Sequence, residues 1–168
     1  PTRRSSDLVQ LASLEDKDQM MALLDGVSAV VHMGGVSTEQ PWDPILAGNI
    51  VGMVNLYEAA RVHGVKRVVF ASSNHVMGFY RQNEVVDALT PPKPDGLYGL
   101  SKAFGEDLSR LYFDRYGIET ACVRIGSSFP EPRDRRMLAT WLSTTTNSSP
   151  PRRLTVSPAR TACSRRWD

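Results

Sequence analysis

Between residues 8 and 143 the apolar positions change period repeatedly, from short β-branched runs to longer stretches in which they recur every three or four residues. Runs of the first kind read as strands and those of the second as amphipathic helices. VQLAS (Val9 to Ser13) is expected to be a strand. Asp16, followed three residues on by Gln19, then makes a capping box for a helix through Leu24. VSAVVH (Val27 to His32) reads as the next strand. After the loop MGGVSTEQP, a helix runs from about Trp42 to a stop at Gly64, with Leu46, Ile50, Met53 and Tyr57 on one face. KRVVFAS (Lys66 to Ser72) is a third, buried strand. The Pro-rich loop TPPKPDG (Thr90 to Gly96) leads into a helix from about Leu97 to Tyr116, and after Gly117 comes a fourth strand, ETACVRIG (Glu119 to Gly126). A short helix is expected near Arg135 to Leu142.

Strands alternating with helices imply an α/β fold, here a partial Rossmann-like, doubly wound parallel sheet with right-handed crossovers and helices on both faces. The ends differ from this body. Residues 1–7 read as an atypical leader, residues 8–143 as the partial dinucleotide-binding domain, and residues 144–168 as a disordered tail, 12 of whose 25 residues are Ser, Thr or Pro. The tail also changes the meaning of the charge. Of the formal net charge of +2, the tail contributes +4 through five Arg and one Asp, which leaves −2 for the other 143 residues. A body of mixed charge lacks the basic stripe of a phosphate-backbone binder, so no nucleic-acid partner is expected. No apolar run approaches the about 18 residues of a membrane span, so no membrane partner is expected either. Cys122 and Cys163 have neither metal-ligand nor disulfide-framework spacing, which predicts no metal and a reducing, cytoplasmic setting.

In an open parallel sheet, ligands bind beyond the carboxyl ends of the strands. Three such junctions carry unusual content: MGGVS (Met33 to Ser37), SSNHVMG (Ser72 to Gly78) and GSSFPEP (Gly126 to Pro132). Glycines there allow close backbone approach, and hydroxyl, amide and imidazole groups can orient a ligand, although Gly and Ser are also common in ordinary turns. Tyr98 and Lys102 are the sharper signal. Four residues apart at the start of a helix, they share one face. A phenol with a reference pKa of about 10 is a poor base at neutral pH, and a neighbouring ammonium is what stabilises its phenolate. A Tyr and a Lys at this spacing also occur by chance in many helices. What raises the pair above chance is its position 25 residues after Ser73, which ends a strand.

This order of Ser73, Tyr98 and Lys102 on a Rossmann sheet resembles the short-chain dehydrogenase/reductase superfamily. The long spacing and the run FASSNHVMG are similar to its extended branch, the NAD-dependent epimerases, dehydratases and dehydrogenases. Within that branch VVHMGGVS, FASSNHVMGFY and ETACVRIGSSFPEPRDRRMLATWLS resemble the uronate dehydrogenases, and the likeness covers about Val9 to Ser143.

The resemblance implies NAD-dependent oxidation of a hexuronic acid at its anomeric carbon, giving an aldarolactone. Tyr98 would be the general base, Lys102 would lower its pKa and hold the nicotinamide ribose, and Ser73 would hydrogen-bond the reacting oxygen. It places Ser37, Asn74, His75 and Ser127 against the sugar hydroxyls, Arg136 against the substrate carboxylate, and Leu14, Met33, Gly34, Gly35, Ser37 and Gly126 beside the cofactor. Asn49 matches a position that supports the site through backbone hydrogen bonds, and the two long helices match a homo-oligomer interface.

Two departures stand against it. The 168 residues contain no G-x-x-G-x-x-G turn to receive a pyrophosphate, and the acidic residue that selects NAD over NADP is missing with it. The chain is therefore expected to be an incomplete enzyme, and whether it is active alone stays open. A nucleotide-sugar epimerase or dehydratase, and a non-catalytic Rossmann fragment or binding module, stay open as alternatives. Met77, where epimerases typically carry Tyr, weighs against the first.

Overall fold

The structure is a computed structural model, and it describes residues 9–126. In chain order the elements are α1 (Lys17–Leu23), β1 (Ala29–His32), α2 (Trp42–Ile45), a π-helical segment Leu46–Val51, α3 (Gly52–Val62), β2 (Arg67–Ser73), a 3-10 turn Asn74–Met77, α4 (Leu97–Tyr116) and β3 (Glu119–Ile125). The three strands are parallel in the order β1-β2-β3, with His32 opposite Phe70 and Phe70 opposite Cys122. The leader, the tail, the helix expected near Arg135 to Leu142, Ser127 and Arg136 lie outside the described residues.

Val9 to Ser13 is not a strand, which corrects the expected four to three. Val9 and Leu11 are 79% and 96% exposed. A strand exists only as one member of a ladder, and no strand among the described residues lies beside this stretch. Its last residue is instead drawn into the cap of α1. The Asp16 carboxylate accepts from the N–H groups of Asp18 and Gln19, both at 3.0 Å, and Gln19 Oε1 accepts from Ser13 N–H at 2.8 Å. The expected pairing of Asp16 with Gln19 is present as a direct contact, Gln19 Nε2 donating to Asp16 Oδ2 at 2.8 Å.

The long second helix forms over Trp42–Val62, but its inward face shifts at the π-helical segment. Met53 and Tyr57 are buried as expected, whereas Leu46 and Ile50 are only half-buried and Ile45 and Asn49 take the inward positions. A π turn carries one extra residue, so apolar positions before it fall out of step with those after it.

Against α3 and α4, one face of the sheet presents Val68 and Phe70 to a core of Met20, Leu24, Met53, Leu56, Tyr57 and Ile118. Each such side chain, fully buried, stabilises the fold by about 1.5–3 kcal/mol. Tyr57 and Thr120 share a hydrogen bond of 2.8 Å that fixes α3 to β3 on this face. Gly105 brings α4 close to β2, because a Cβ there would lie 2.7 Å from the Phe70 ring. Val31, Val69, Val123 and Ile125 stand on the opposite face and are exposed. The helices expected on both faces are, among the described residues, those of one face. No described helix is long and apolar enough to cross a membrane.

Candidate active site

The carboxyl ends of β1 and β2 and the first turns of α4 converge on one recess lined by His32, Gly34, Asn49, Phe70, Ser101 and Lys102. Lys102 reaches into it from α4 and is buried, with 6% of its surface exposed. Its ammonium donates to the Ala71 carbonyl at 3.0 Å and lies over two rings, 5.1 Å from the Phe70 centroid and 5.6 Å from that of Tyr98. Tyr98 and Lys102 thus converge as their spacing predicts. Burial holds the Lys102 amine below its ordinary value, since desolvation penalises the charged form.

His32 ends β1 beneath the same recess, its ring stacked on Phe70 at 5.7 Å. Burial first, and the Lys102 charge second, push its imidazole down to about 4. It is neutral at pH 7, so Lys102 is the cation of this recess.

Ser73, the last residue of β2, is buried, and its hydroxyl caps the following 3-10 turn by accepting from His75 N–H at 3.2 Å while donating to Asn74 Oδ1 at 3.3 Å. Asn74 and His75 are exposed at the sheet edge. The His75 ring meets Tyr98 edge-on at 5.6 Å, and its Nδ1 lies 2.9 and 3.0 Å from the two Asp95 oxygens. Ser73, His75, Tyr98 and Lys102 therefore form one neighbourhood.

On the other side of the recess, Leu14 packs against Gly34, where a Cβ would lie 2.9 Å from Leu14 Cδ1. Met33 is 73% exposed. Gly35 has φ +100, which only glycine adopts readily, and a Cβ on it would lie 2.4 Å from Asn49 Oδ1. Asn49 occupies that space for a reason. Its Oδ1 accepts from Val36 N–H at 2.7 Å, and its Nδ2 donates to the Val36 carbonyl at 3.1 Å and to Ser101 Oγ at 2.8 Å. Ser101 in turn donates to the Tyr98 carbonyl at 2.7 Å. Ser37 is exposed beyond this tie, and Gly126 is exposed after β3.

Four residues of the neighbourhood carry no signal in the reading of the sequence: His32, Glu39, Phe70 and Asp95. Each acts through a contact distant in the chain. Glu39 is the clearest case, since its carboxylate accepts from the N–H groups of Leu97 and Tyr98 at 2.9 and 3.0 Å, 58 and 59 residues away. Among the described residues no group of three His, Cys, Asp or Glu side chains is placed to hold a metal ion.

The model of the NAD dependent epimerase/dehydratase family matches residues 2–156. A uronate dehydrogenase of Pseudomonas syringae pv. tomato is 62% identical over 135 residues, which are 80% of this chain and 49% of that protein. A second, from Pseudomonas putida, is 56% identical over 85% of this chain and 53% of its own length. Among solved structures, a mutant uronate dehydrogenase from Agrobacterium tumefaciens complexed with NAD superposes with a TM-score of 0.72 at 50% identity, over 82% of this chain and 54% of that one. The chain spans about half the length of the curated relatives it matches.

Proposed function

The chain belongs to the NAD dependent epimerase/dehydratase family, and on that footing we propose that it carries the proton-transfer half of an NAD-dependent uronate dehydrogenase, which oxidises a hexuronic acid at its anomeric carbon to an aldarolactone. One observation carries the reading: the Lys102 ammonium is buried between the Ala71 carbonyl and the Tyr98 ring, at the sheet edge where Ser73 ends β2.

In this reading Tyr98 takes the proton from the anomeric hydroxyl. Lys102, the cation beside it, favours the phenolate, and Ser73 Oγ hydrogen-bonds the same substrate oxygen. When bound, NAD supplies the acceptor for the hydride that leaves the anomeric carbon. The residues present fit the nicotinamide end of that cofactor. An ammonium has three donors and Lys102 gives one to Ala71, so others are left for ribose hydroxyls. Leu14, Met33, Gly34, Gly35, Ser37 and Gly126 would line the remaining wall, with Asn74 and His75 turned to the sugar acid; Ser127 and Arg136, outside the described residues, keep the sugar and carboxylate roles that the family likeness implies. The described residues hold no glycine-rich turn at a helix N-terminus for the pyrophosphate.

The same reading makes residues 8–143 the dinucleotide-binding portion, with leader and tail outside it. It places a homo-oligomer contact on the two long helices, Trp42 to Gly64 and Leu97 to Tyr116, a choice supported by the exposure of Val51, Val62, Leu100, Leu111 and Phe113. It sets the protein in the cytoplasm, without nucleic-acid or membrane partners.

The test is to incubate the chain with NAD and glucuronate or galacturonate and to follow the absorbance of the reduced nicotinamide. Turnover that disappears in Tyr98→Phe is the expected result. Turnover undiminished in Tyr98→Phe would overturn the reading, as would silence that persists when the P. syringae relative supplies the rest of the length.

A further inference from the structure

Nothing in a hydrophobic pattern explains why Glu39 sits where it does. It lies in the loop between β1 and α2, yet its carboxylate spans the first turn of α4 and takes the N–H groups of Leu97 and Tyr98. Gly96, the residue before α4, provides no side-chain cap of its own. Its φ of −169 is extended backbone that any residue adopts, so the glycine is not there for conformational freedom. It is there for space: a Cβ on Gly96 would lie 2.4 Å from Glu39 Oε2. The two positions together build a seat for one carboxylate.

The other backbone group of Tyr98 is held as well. The Tyr98 carbonyl accepts from Ser101 Oγ at 2.7 Å, Ser101 accepts from Asn49, and Asn49 grips Val36 through both its backbone groups. Tyr98 is thus tied through its N–H to Glu39 and through its carbonyl to Val36, two residues of one loop. With both backbone groups fixed, the remaining freedom of Tyr98 is that of its side chain, which meets both His75 and Lys102.

We propose that Glu39 is a positioning residue for the proton-transfer step: it clamps the first turn of α4 and so fixes the Tyr98 ring against His75 and Lys102. The inference rests on the role proposed for Tyr98. Glu39 acts through the backbone and touches neither sugar nor cofactor. A second consequence follows from its charge. A carboxylate on the leading N–H groups of a 20-residue helix occupies the place that an anion would otherwise take. The carboxylate of a sugar acid is therefore met elsewhere in the site, and Tyr98 is left to the hydroxyl.

The experiment compares the parent with Glu39→Gln, Glu39→Ala and Gly96→Ala, the last of which pushes on the same carboxylate from the opposite side. The chain has five tyrosines, so with 3-fluorotyrosine incorporated, the Tyr98 signal is assigned by its loss in Tyr98→Phe. In the chain without cofactor, Glu39→Ala and Gly96→Ala are expected to shift or broaden that signal while the other four stay in place. Amide exchange at Leu97 and Tyr98 should quicken by about tenfold, one lost hydrogen bond each, with Gln restoring part of the protection. In turnover, kcat should fall by about tenfold to a hundredfold with KM for the sugar acid little changed, because a displaced base misaligns the step without removing a substrate contact.

An unchanged Tyr98 signal and unchanged exchange in Glu39→Ala would overturn the proposal. So would a rise in KM with kcat held, which would make Glu39 a substrate ligand. A shift of all five signals would also refute it, since that would make Glu39 a residue of general stability. The fluorine and exchange readings need no turnover, so silence that persists with the rest of the length supplied would sink the proposed function and still leave these measurements to decide the role of Glu39.

Discussion

Lys102 Nζ stands 5.6 Å from the centre of the Tyr98 ring while it donates to the carbonyl of Ala71 at 3.0 Å. The two contacts divide the labour of one side chain: the strand fixes where the charge is, and the helix presents the phenol to it. Its burial makes the arrangement unfavourable for the fold.

Desolvation holds the Lys102 amine below its ordinary 10.5, so the unfolded chain binds the proton more readily than the folded one. Stability should accordingly rise with pH through the window that ends near 10.5 and be reduced at neutral pH. Lys102→Met, which keeps the volume and removes the charge, is expected to be at least as stable as the parent in urea, to within about 1 kcal/mol, and to have no turnover. A variant that is much less stable yet still turns over would contradict the role given to this lysine.

For His32 the sign is the same and the window lower. Its folded value is about 4 against 6.5 unfolded, so its contribution is complete above 6.5 and is lost as pH falls from there towards 4. The loss amounts to at most about 3 kcal/mol. Denaturant titrations at neutral pH and near the lower bound, on the parent and on His32→Phe, should show a steeper acid destabilisation in the parent. Equal slopes would mean that this imidazole does not resist protonation.

Asp95 holds His75 Nδ1 with both carboxylate oxygens, and the His75 side chain is half exposed. An exposed pair of this kind contributes little to stability, within about 1 kcal/mol. What the pair favours is one tautomer, with the proton on Nδ1 facing the carboxylate and Nε2 the bare nitrogen of the neutral ring. Asp95→Ala should therefore leave the urea midpoint nearly in place, alter the nitrogen NMR signature of one of the three histidines, and lower turnover by about tenfold. An unaltered His75 spectrum would remove the argument.

Glu106 presents a different balance. It receives Arg124 through two bonds of 2.9 and 2.7 Å and the Ser72 hydroxyl at 2.6 Å, all within the layer between α4 and the sheet. Glu106→Ala strands a half-buried guanidinium and is expected to destabilise the fold by about 2 kcal/mol. Glu106→Gln should recover roughly half of that loss. If Ala and Gln behave alike in urea, the charge on Glu106 is irrelevant and only its shape matters.

The local features of this fold are legible in the sequence because local spacing produces them. α4 begins at Leu97 and ends at Tyr116 as its pattern predicts, with Gly117 at φ +69 closing it, and the pairing of Tyr98 with Lys102 follows from one helical turn. Val9 to Ser13 has the composition of a strand, but a strand depends on a neighbour that its own residues do not encode. The tie from Asn49 to Val36 was accessible only through a likeness. Glu39 and Asp95 were not accessible at all, because a Glu or Asp in a polar loop has the same appearance whether it faces water or a helix terminus 58 residues further on. His32 reads as an end-of-strand residue until Phe70 is laid beneath it.

Within Leu46–Val51 the chain holds one residue more than an α-helix of that height requires. Deleting a residue there would leave a helix of ordinary pitch, yet would turn everything ahead of it by about 100° about the helix axis. Trp42 to Ile45 would then present another side to the core, and Asn49 would no longer meet Val36. The surplus residue works as a phase adjuster: it lets one continuous helix satisfy the greasy layer under the sheet at one end and the polar ties of the recess at the other. Single-residue length changes in this stretch should thus be tolerated by the helix and not by the site, which makes its length, more than its composition, the quantity held fixed.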